Sequence, residues 1–449
     1  MIACFQQLIA PSAIRLGEFA PMDSSVRLRL SIMMFLQYAI WGAWAVSMGG
    51  YMNDALKFKG PEIGSIYSTT AIAAMISPLF MGVLADKFLA TEKVIAGLHL
   101  IGAGLLYYAA QVRDFTTLYT VMLAYAFCYM PTLALTNSIS FANIGNPERD
   151  FPGIRVFGTF GWIVVGWVVG FGLGNPAVIE MLPAAYQSGN APILLAAILS
   201  GLLGLFSFLL PHTPPGRVST NVRSEASSRS VLQLLQDPTF LIFVISSFLI
   251  CIPLAFYYNL ANIFLGEIKA PYPTALQTIG QISEVGFMAA MPFFIVRLGV
   301  KKMLMIGMLA WVVRYFCFAS LSFPLVVVGL ILHGICYDFF FVASQIYVDN
   351  RVTGAQRASA QSFIAFVTLG AGMFVGAYAA GVTLDGFAIL DTSTPPVVTG
   401  HNWQHLWLVP AIGAGVTSIL FWFGFRNPPV GVANDDWKKL EDEGVATSR

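Results

Sequence analysis

Residues 240–265 read FLIFVISSFLICIPLAFYYNLANIFL, 26 consecutive positions without one charged side chain. As a helix rising 1.5 Å per residue the run reaches about 39 Å, enough to cross a hydrocarbon core of roughly 30 Å with some tilt. The rest of the chain shares that character. Of its 449 residues 57% are hydrophobic and 10% charged, with a mean hydropathy of +0.73, whereas soluble domains carry about 25% charged residues. The protein is built to live in lipid.

Eleven further apolar runs of about 20 residues satisfy the same criterion. The full set lies near 30–50, 63–84, 93–111, 115–141, 154–174, 192–210, 240–265, 274–296, 301–321, 324–349, 358–384 and 404–425. None alternates with the period of two that marks a membrane barrel. Their Gly and Pro residues suit bilayer helices, where neighbours take up freed backbone groups and small residues allow close approach. The expected fold is an all-α membrane protein with twelve transmembrane helices in two six-helix bundles.

Charge sets the orientation. With a cytoplasmic amino end, 18 Lys and Arg from residue 22 onward fall on the cytoplasmic side and 4 outside, namely Lys57, Lys59, Arg113 and Lys269. That asymmetry predicts both termini inside and a place in the cytoplasmic (inner) membrane. The longest cytoplasmic gap, 211–239, contains PHTPPGRVSTNVRSEASSRS and reads as a linker. It divides a bundle at 30–210 from one at 240–426, with a disordered leader at 1–29, in which Met22 is an alternative start, and a cytoplasmic tail at 427–449. The loop segments GVLADK (82–87) and RLGVKK (297–302) echo one another across the halves. Repeated halves around a central site are a common transporter plan.

Several functions are excluded. The net charge is +1 and no basic block tracks nucleic-acid phosphates. Of five cysteines, Cys128, Cys251, Cys317 and Cys336 lie in apolar runs without CxxC or Cys/His spacing, which argues against disulfides and metal. There is no HExxH, no nucleophile motif and no Gly-rich phosphate loop with its lysine, so neither an enzyme nor a cofactor is expected.

The polar residues inside the apolar runs carry the functional reading. Glu284 and Asp338 sit within spanning segments, where an ionised carboxylate costs roughly 2.5–3.5 kcal/mol and so faces a partner or a water path. Asp338 is about fourteen residues into its run, near mid-depth. Gln277, Gln281 and Glu284 share a face at i, i+4, i+7, as do Arg155, Thr159 and Trp162, and Gln37, Trp41 and Trp44; Tyr337, Asp338 and Phe339 meet Gln345 two turns on. Amides and carboxylates beside flat aromatics suit a small polyhydroxylated or heteroaromatic solute. Each stripe also has a structural alternative. Trp41 and Trp44 suit interfacial packing, and Gln281 suits an interhelical hydrogen bond. Arg155, following what reads as a helix start at Asp150-Phe151-Pro152, is either a positive-inside residue or an inward counter-charge. Arg314, between Trp311 and Tyr315, reads as a cation–π or snorkelling residue, and His99 and His333 as core histidines. Asp86 and Lys87 read as charges of a gating loop.

The strings FLQYAIWGAW (35–44), AFCYMPTLALTNSIS (126–140), DFPGIRVFGTFGW (150–162), QISE (281–284), AWVVRY (310–315), YDFFF (337–341) and RASAQ (357–361), in that order, resemble the nucleoside:proton symporter family of the major facilitator superfamily. The resemblance runs from about residue 27 to 426. It implies import of nucleosides with protons by alternating access; one chain contains both halves, which suits a functional monomer. Its substrate pattern carries over onto Arg155, Thr159, Gln281, Glu284 and Asp338, with Tyr337 beside it and Trp162 where the family has Phe. In the seventh helix the family's Gln and Asn are replaced by Ala255 and Tyr258, with Tyr258 or Asn259 as substitutes. The expected proton-coupling groups are Asp338 and Glu284. The alternative cargo is a sugar, glycoside or other small polar solute.

Overall fold

The computed structural model describes residues 22–87, 89–214, 234–349, 351–352, 357–394 and 396–426, and it is a bundle of long helices. The first half contains α1 (Ser24–Ala45), α2 (Gly60–Lys87), α3 (Thr91–Ala109), α4 (Phe115–Ala142), α5 (Pro147–Trp167) and α6 (Ala191–Phe206). The second contains α7 (Pro238–Glu267), α8 and α9 (273–298 and 300–319), α10 (Phe323–Tyr337), α11 (Arg357–Ala365 with Met373–Gly386) and α12 (Trp403–Gly424). These helices follow the twelve apolar runs in order. Among the described residues, eight stretches are long and apolar enough to cross a membrane by length and composition. The 273–319 stretch carries Gln277, Gln281, Glu284 and Arg314 within its helices.

Short polar residues set the helix starts. Asp23 accepts from Ser25 N–H at 2.8 Å, Asp114 from Thr117 N–H at 2.9 Å, and Asp237 from Thr239 N–H at 2.8 Å with Pro238 as the first helical residue. Each satisfies a donor that the helix leaves without an internal partner. Because Asp23 caps α1, the helix begins at Ser24, within the expected leader. Residues 1–21, 215–233 and 427–449, which hold most of the expected leader, linker and tail, lie outside the described residues.

Two departures from ideal helix shape the bundle. The 273–319 stretch is hydrogen-bonded as one helix but turns at Gly299, where φ is 68° and ψ 168°, a conformation glycine adopts and other residues resist. Four helices also contain or lead into π-helical turns, at Tyr51–Ala55, Val168–Leu173, Asp338–Val342 and Phe366–Gly372. Such turns concentrate at functional places because each inserts one extra residue into the helix.

Lipid offers no hydrophobic drive between helices, so packing and hydrogen bonds hold them. In the first half α1 packs on α5 and α6, α3 on α4 and α6, and α2 on α4. In the second, α7 packs on α11 and α12, and the α8–α9 pair on α10 and α12. A buried polar network ties four helices of the first half: Gln37 Nε2 donates to Thr132 Oγ1 at 2.7 Å, and His99 lies 2.9 Å from Gln37 Oε1 and 3.2 Å from Ser200 Oγ. The half-to-half hydrogen bonds among the described residues run from Gly60 N–H to Asp385 Oδ1 and from Trp167 Nε1–H to Thr278 Oγ1, each 2.9 Å. Both lie at the end away from the termini. There too a hairpin, β1 (Ala388–Leu390) and β2 (Val398–His401), is pinned to α7 by Glu267, which accepts from His401 N–H at 2.9 Å and Trp403 Nε1–H at 2.7 Å.

At the α1–α5 crossing an added Cβ on Gly161 would collide with the Phe35 carbonyl. Gly161→Leu is therefore expected to destabilise the fold by the ~1–3 kcal/mol typical of overpacking, read as a lower Tm and folded yield in detergent.

Candidate functional site

Arg155 owes its place to where α5 starts. Asn146 accepts from Arg149 N–H at 3.1 Å and Pro147 opens the helix, while Asp150 forms an ion pair with Arg149 at 2.8 Å. The start expected at Asp150 is thus earlier by about a turn, and Arg155 stands roughly 12 Å into the helix by the 1.5 Å rise. Its guanidinium lies over the Tyr38 ring of α1, 4.1 Å from the centroid, and α5 packs on the α8–α9 stretch of the other half. Thr159 and Trp162 follow along α5, both half-buried. Trp162 meets Trp41 edge-on at 5.7 Å, placing Trp41 beside this face. Gln37 and Trp44, the other members of that stripe, are in the core: Trp44 Nε1–H donates to Tyr125 OH at 3.3 Å.

Glu284 and Asp338 come together because α8 and α10 nearly touch. An added Cβ on Gly334 would stand 2.6 Å from the Ser283 backbone, and Gly334 N–H lies 3.0 Å from Ser283 Oγ, its acceptor. Glu284 follows Ser283, and Asp338 lies one turn beyond Gly334. Asp338 is 0% exposed and neither carboxylate oxygen has a hydrogen-bond partner. Gln281, one turn before Glu284, is half-buried on the same face. Gln277 instead turns back to the Pro273 carbonyl at 3.3 Å. Gln345 is exposed, since the π-helical turn after Asp338 adds a residue and rotates all that follows by about 100°.

Aromatic rings close this side. Tyr337 lies 5.8 Å from His333 and 5.0 Å from Phe341, and Tyr258 lies 6.3 Å from His333, within electrostatic reach of Glu284. Asn259 is not with them. It is buried toward α11, with Nδ2 3.5 Å from the Ala377 carbonyl, because one residue along a helix is a rotation of about 100°. Ala255 is buried where Gly376 of α11 passes, and even a Cβ on Gly376 would come within 2.7 Å of its methyl. A longer side chain has no room there. Asp86 and Lys87 fall in the last turn of α2, and their side chains lie outside the described residues.

Arg314 does not snorkel. It is 0% exposed, its guanidinium sits 3.5 Å from the Tyr257 centroid, and Nη1 lies 3.0 Å from His333 Nδ1. Trp311 and Tyr315, its sequence neighbours, are not its ring partners; Tyr257 and Phe318 are. Sequence reasoning missed Tyr38 and Tyr257. Tyr38 has a signal in retrospect, lying one turn before Trp41 in FLQYAIWGAW, while Tyr257 has none beyond adjacency to Tyr258.

The geometry gathers one cation from the first half and two carboxylates from the second, with an amide, a hydroxyl and rings around them. That set can bind a polar ring-bearing solute and hold a proton. The cavities of about 390 and 230 Å³ lie elsewhere, at the end away from the termini, around Val169, Gly174 and Thr274.

Comparison with known proteins agrees. Among Escherichia coli (strain K12) proteins, YegT is 40% identical over 404 residues, covering 89% of this chain and 93% of that protein. Xanthosine permease is 33% identical, covering 94% and 99%. The crystal structure of the nucleoside transporter NupG superposes with a TM-score of 0.78 at 32% identity, covering 90% of this chain and all of that one. The D-xylose-proton symporter shares the fold, with a TM-score of 0.65 at 13% identity. The family model for the nucleoside H+ symporters matches residues 24–429, and the chain belongs to that family.

Proposed function

We propose that the protein binds a nucleoside between Arg155, Thr159 and Trp162 of the first half and Gln281, Glu284, Tyr258 and Tyr337 of the second, and that Asp338 carries the coupled proton. Family membership makes the chain a proton-coupled nucleoside importer of the inner membrane, a multi-pass carrier and not an enzyme. The observation that carries the assignment of roles is the state of Asp338, sealed from solvent with both oxygens unpartnered. A charge there would have neither solvation nor a partner, and for that reason we assign the coupled proton to this group. Glu284, by contrast, is only half-buried.

The cycle follows. A proton reaching Asp338 removes the repulsion between the carboxylates, Glu284 and Gln281 then accept and donate hydrogen bonds to ribose hydroxyls, and Trp162 and Tyr337 flank the base. Loss of the proton on the other side restores repulsion and releases the solute. The positive-inside asymmetry supports cytoplasmic termini, which makes the closed end the outer one. One chain holds both halves, consistent with a functional monomer. At Ala255 the α7–α11 crossing limits the size of the side chain.

Uptake of radiolabelled uridine and adenosine into vesicles should depend on an inward proton gradient and collapse with an uncoupler; gradient-independent uptake would refute coupling. Asp338→Asn is expected to abolish accumulation while nucleoside exchange persists, and normal accumulation by this variant would move the proton elsewhere. Arg155→Ala and Glu284→Gln should each weaken nucleoside binding by roughly 10- to 100-fold, the scale of a hydrogen bond to a charged group, measured by calorimetric titration.

A further inference from the structure

The outer end is closed main chain against main chain. An added Cβ on Gly60 of α2 would collide with the Gly381 carbonyl of α11, and one on Gly64 with the Ala377 carbonyl. Gly49, beyond α1, similarly faces the Asn259 carbonyl of α7 at 2.7 Å from its would-be Cβ, with Ile263 beside it. Each of these contacts joins one half to the other.

The start of α2 has an unusual supply of acceptors. A helix opens with four N–H groups lacking internal partners, and a Ser, Thr, Asp or Asn just before it normally serves one of them. Here that place is taken by Lys59, whose side chain only donates. Pro61 brings no N–H. The N–H groups of Glu62 and Ile63 both turn to the Lys59 carbonyl at 3.0 Å, and Glu62 Oε2 accepts Lys59 N–H at 2.7 Å. That leaves Gly60 N–H, and its acceptor, Asp385 Oδ1 at 2.9 Å, belongs to the opposite half. A carboxylate at the positive end of a helix is also favourably placed for the helix dipole.

We infer that Asp385 is a gate residue of the transport cycle: it lends α2, from the other half, the cap that α2's own half lacks, and this bond holds the outer side shut. Opening that side exchanges the bond for water at both groups, so Asp385 sets the balance between the outward-open and outward-closed states. It touches no solute and acts by positioning α2 against α11. The inference rests on the alternating-access reading and is independent of the cargo and of which carboxylate takes the proton.

The test places a cysteine at Ile263, 2% exposed in the closed state, in the full-length protein in right-side-out vesicles, and follows labelling by a membrane-impermeant maleimide without solute. Asp385→Ala should raise the labelling rate roughly ten-fold, the scale of one charge-assisted hydrogen bond. Asp385→Asn keeps an oxygen acceptor without its charge, and bonds of that kind are about half as strong, so roughly three-fold is expected. A purely structural role would lower the yield of folded protein without this graded opening. Parent-like labelling of folded Asp385→Ala, or of Asp385→Asn where the alanine variant does not fold, overturns the inference.

Discussion

The hydrocarbon core supplies no water, so each polar group placed there must find its partner within the protein. Most of the molecule can be understood as obedience to that constraint. Gln37 and His99 satisfy one another inside the first half, with Thr132 and Ser200 as their further partners. Against that background the unpartnered oxygens of Asp338 stand out, as do Nε and Nη2 of Arg314. Arg314 has compensation of another kind, in the Tyr257 face and His333. Asp338 has none among the described residues.

The site also depends on being divided. Arg155 is carried by α5 and the carboxylates by α8 and α10, so the electrostatic balance among them changes whenever the halves rotate relative to one another. Within the second half Gly280 and Gly334 bring α8 and α10 into contact beside Glu284 and Asp338. The variable distance is the one to Arg155. In the proposed cycle a rigid pair of carboxylates meets or leaves a mobile counter-charge, a two-state element that proton and solute can both bias.

Much of this was legible in the sequence because the bilayer enforces a simple code. Length and hydropathy located the helices, and intramembrane charge located Glu284 and Asp338. What was not legible traces to local geometry that apolar runs do not encode. The earlier start of α5 depended on the Asn146-Pro147 pair, which an acidic cap at Asp150 appeared to pre-empt. Gln345 was placed by counting α-helical turns through a segment that winds as a π helix. Asn259 differs from Tyr258 by a single step of rotation, and which of them faces the site is decided by how α7 lies on α11. The depth of Arg314 was hidden because its ring partners come from α7 and from one turn along its own helix rather than from its immediate neighbours.

The glycine contacts at the end away from the termini have an implication for energy conservation. Where side chains close a passage, thermal wobble leaves transient gaps that a water file can fill; α2 and α11, in direct backbone contact around Gly60, Gly64 and Gly381, leave little such slack. The carboxylate beside that seam, Asp385, is held at the Gly60 N–H. In the proposed cycle such a closure limits the leak by which an idle carrier would short-circuit the gradient that drives it.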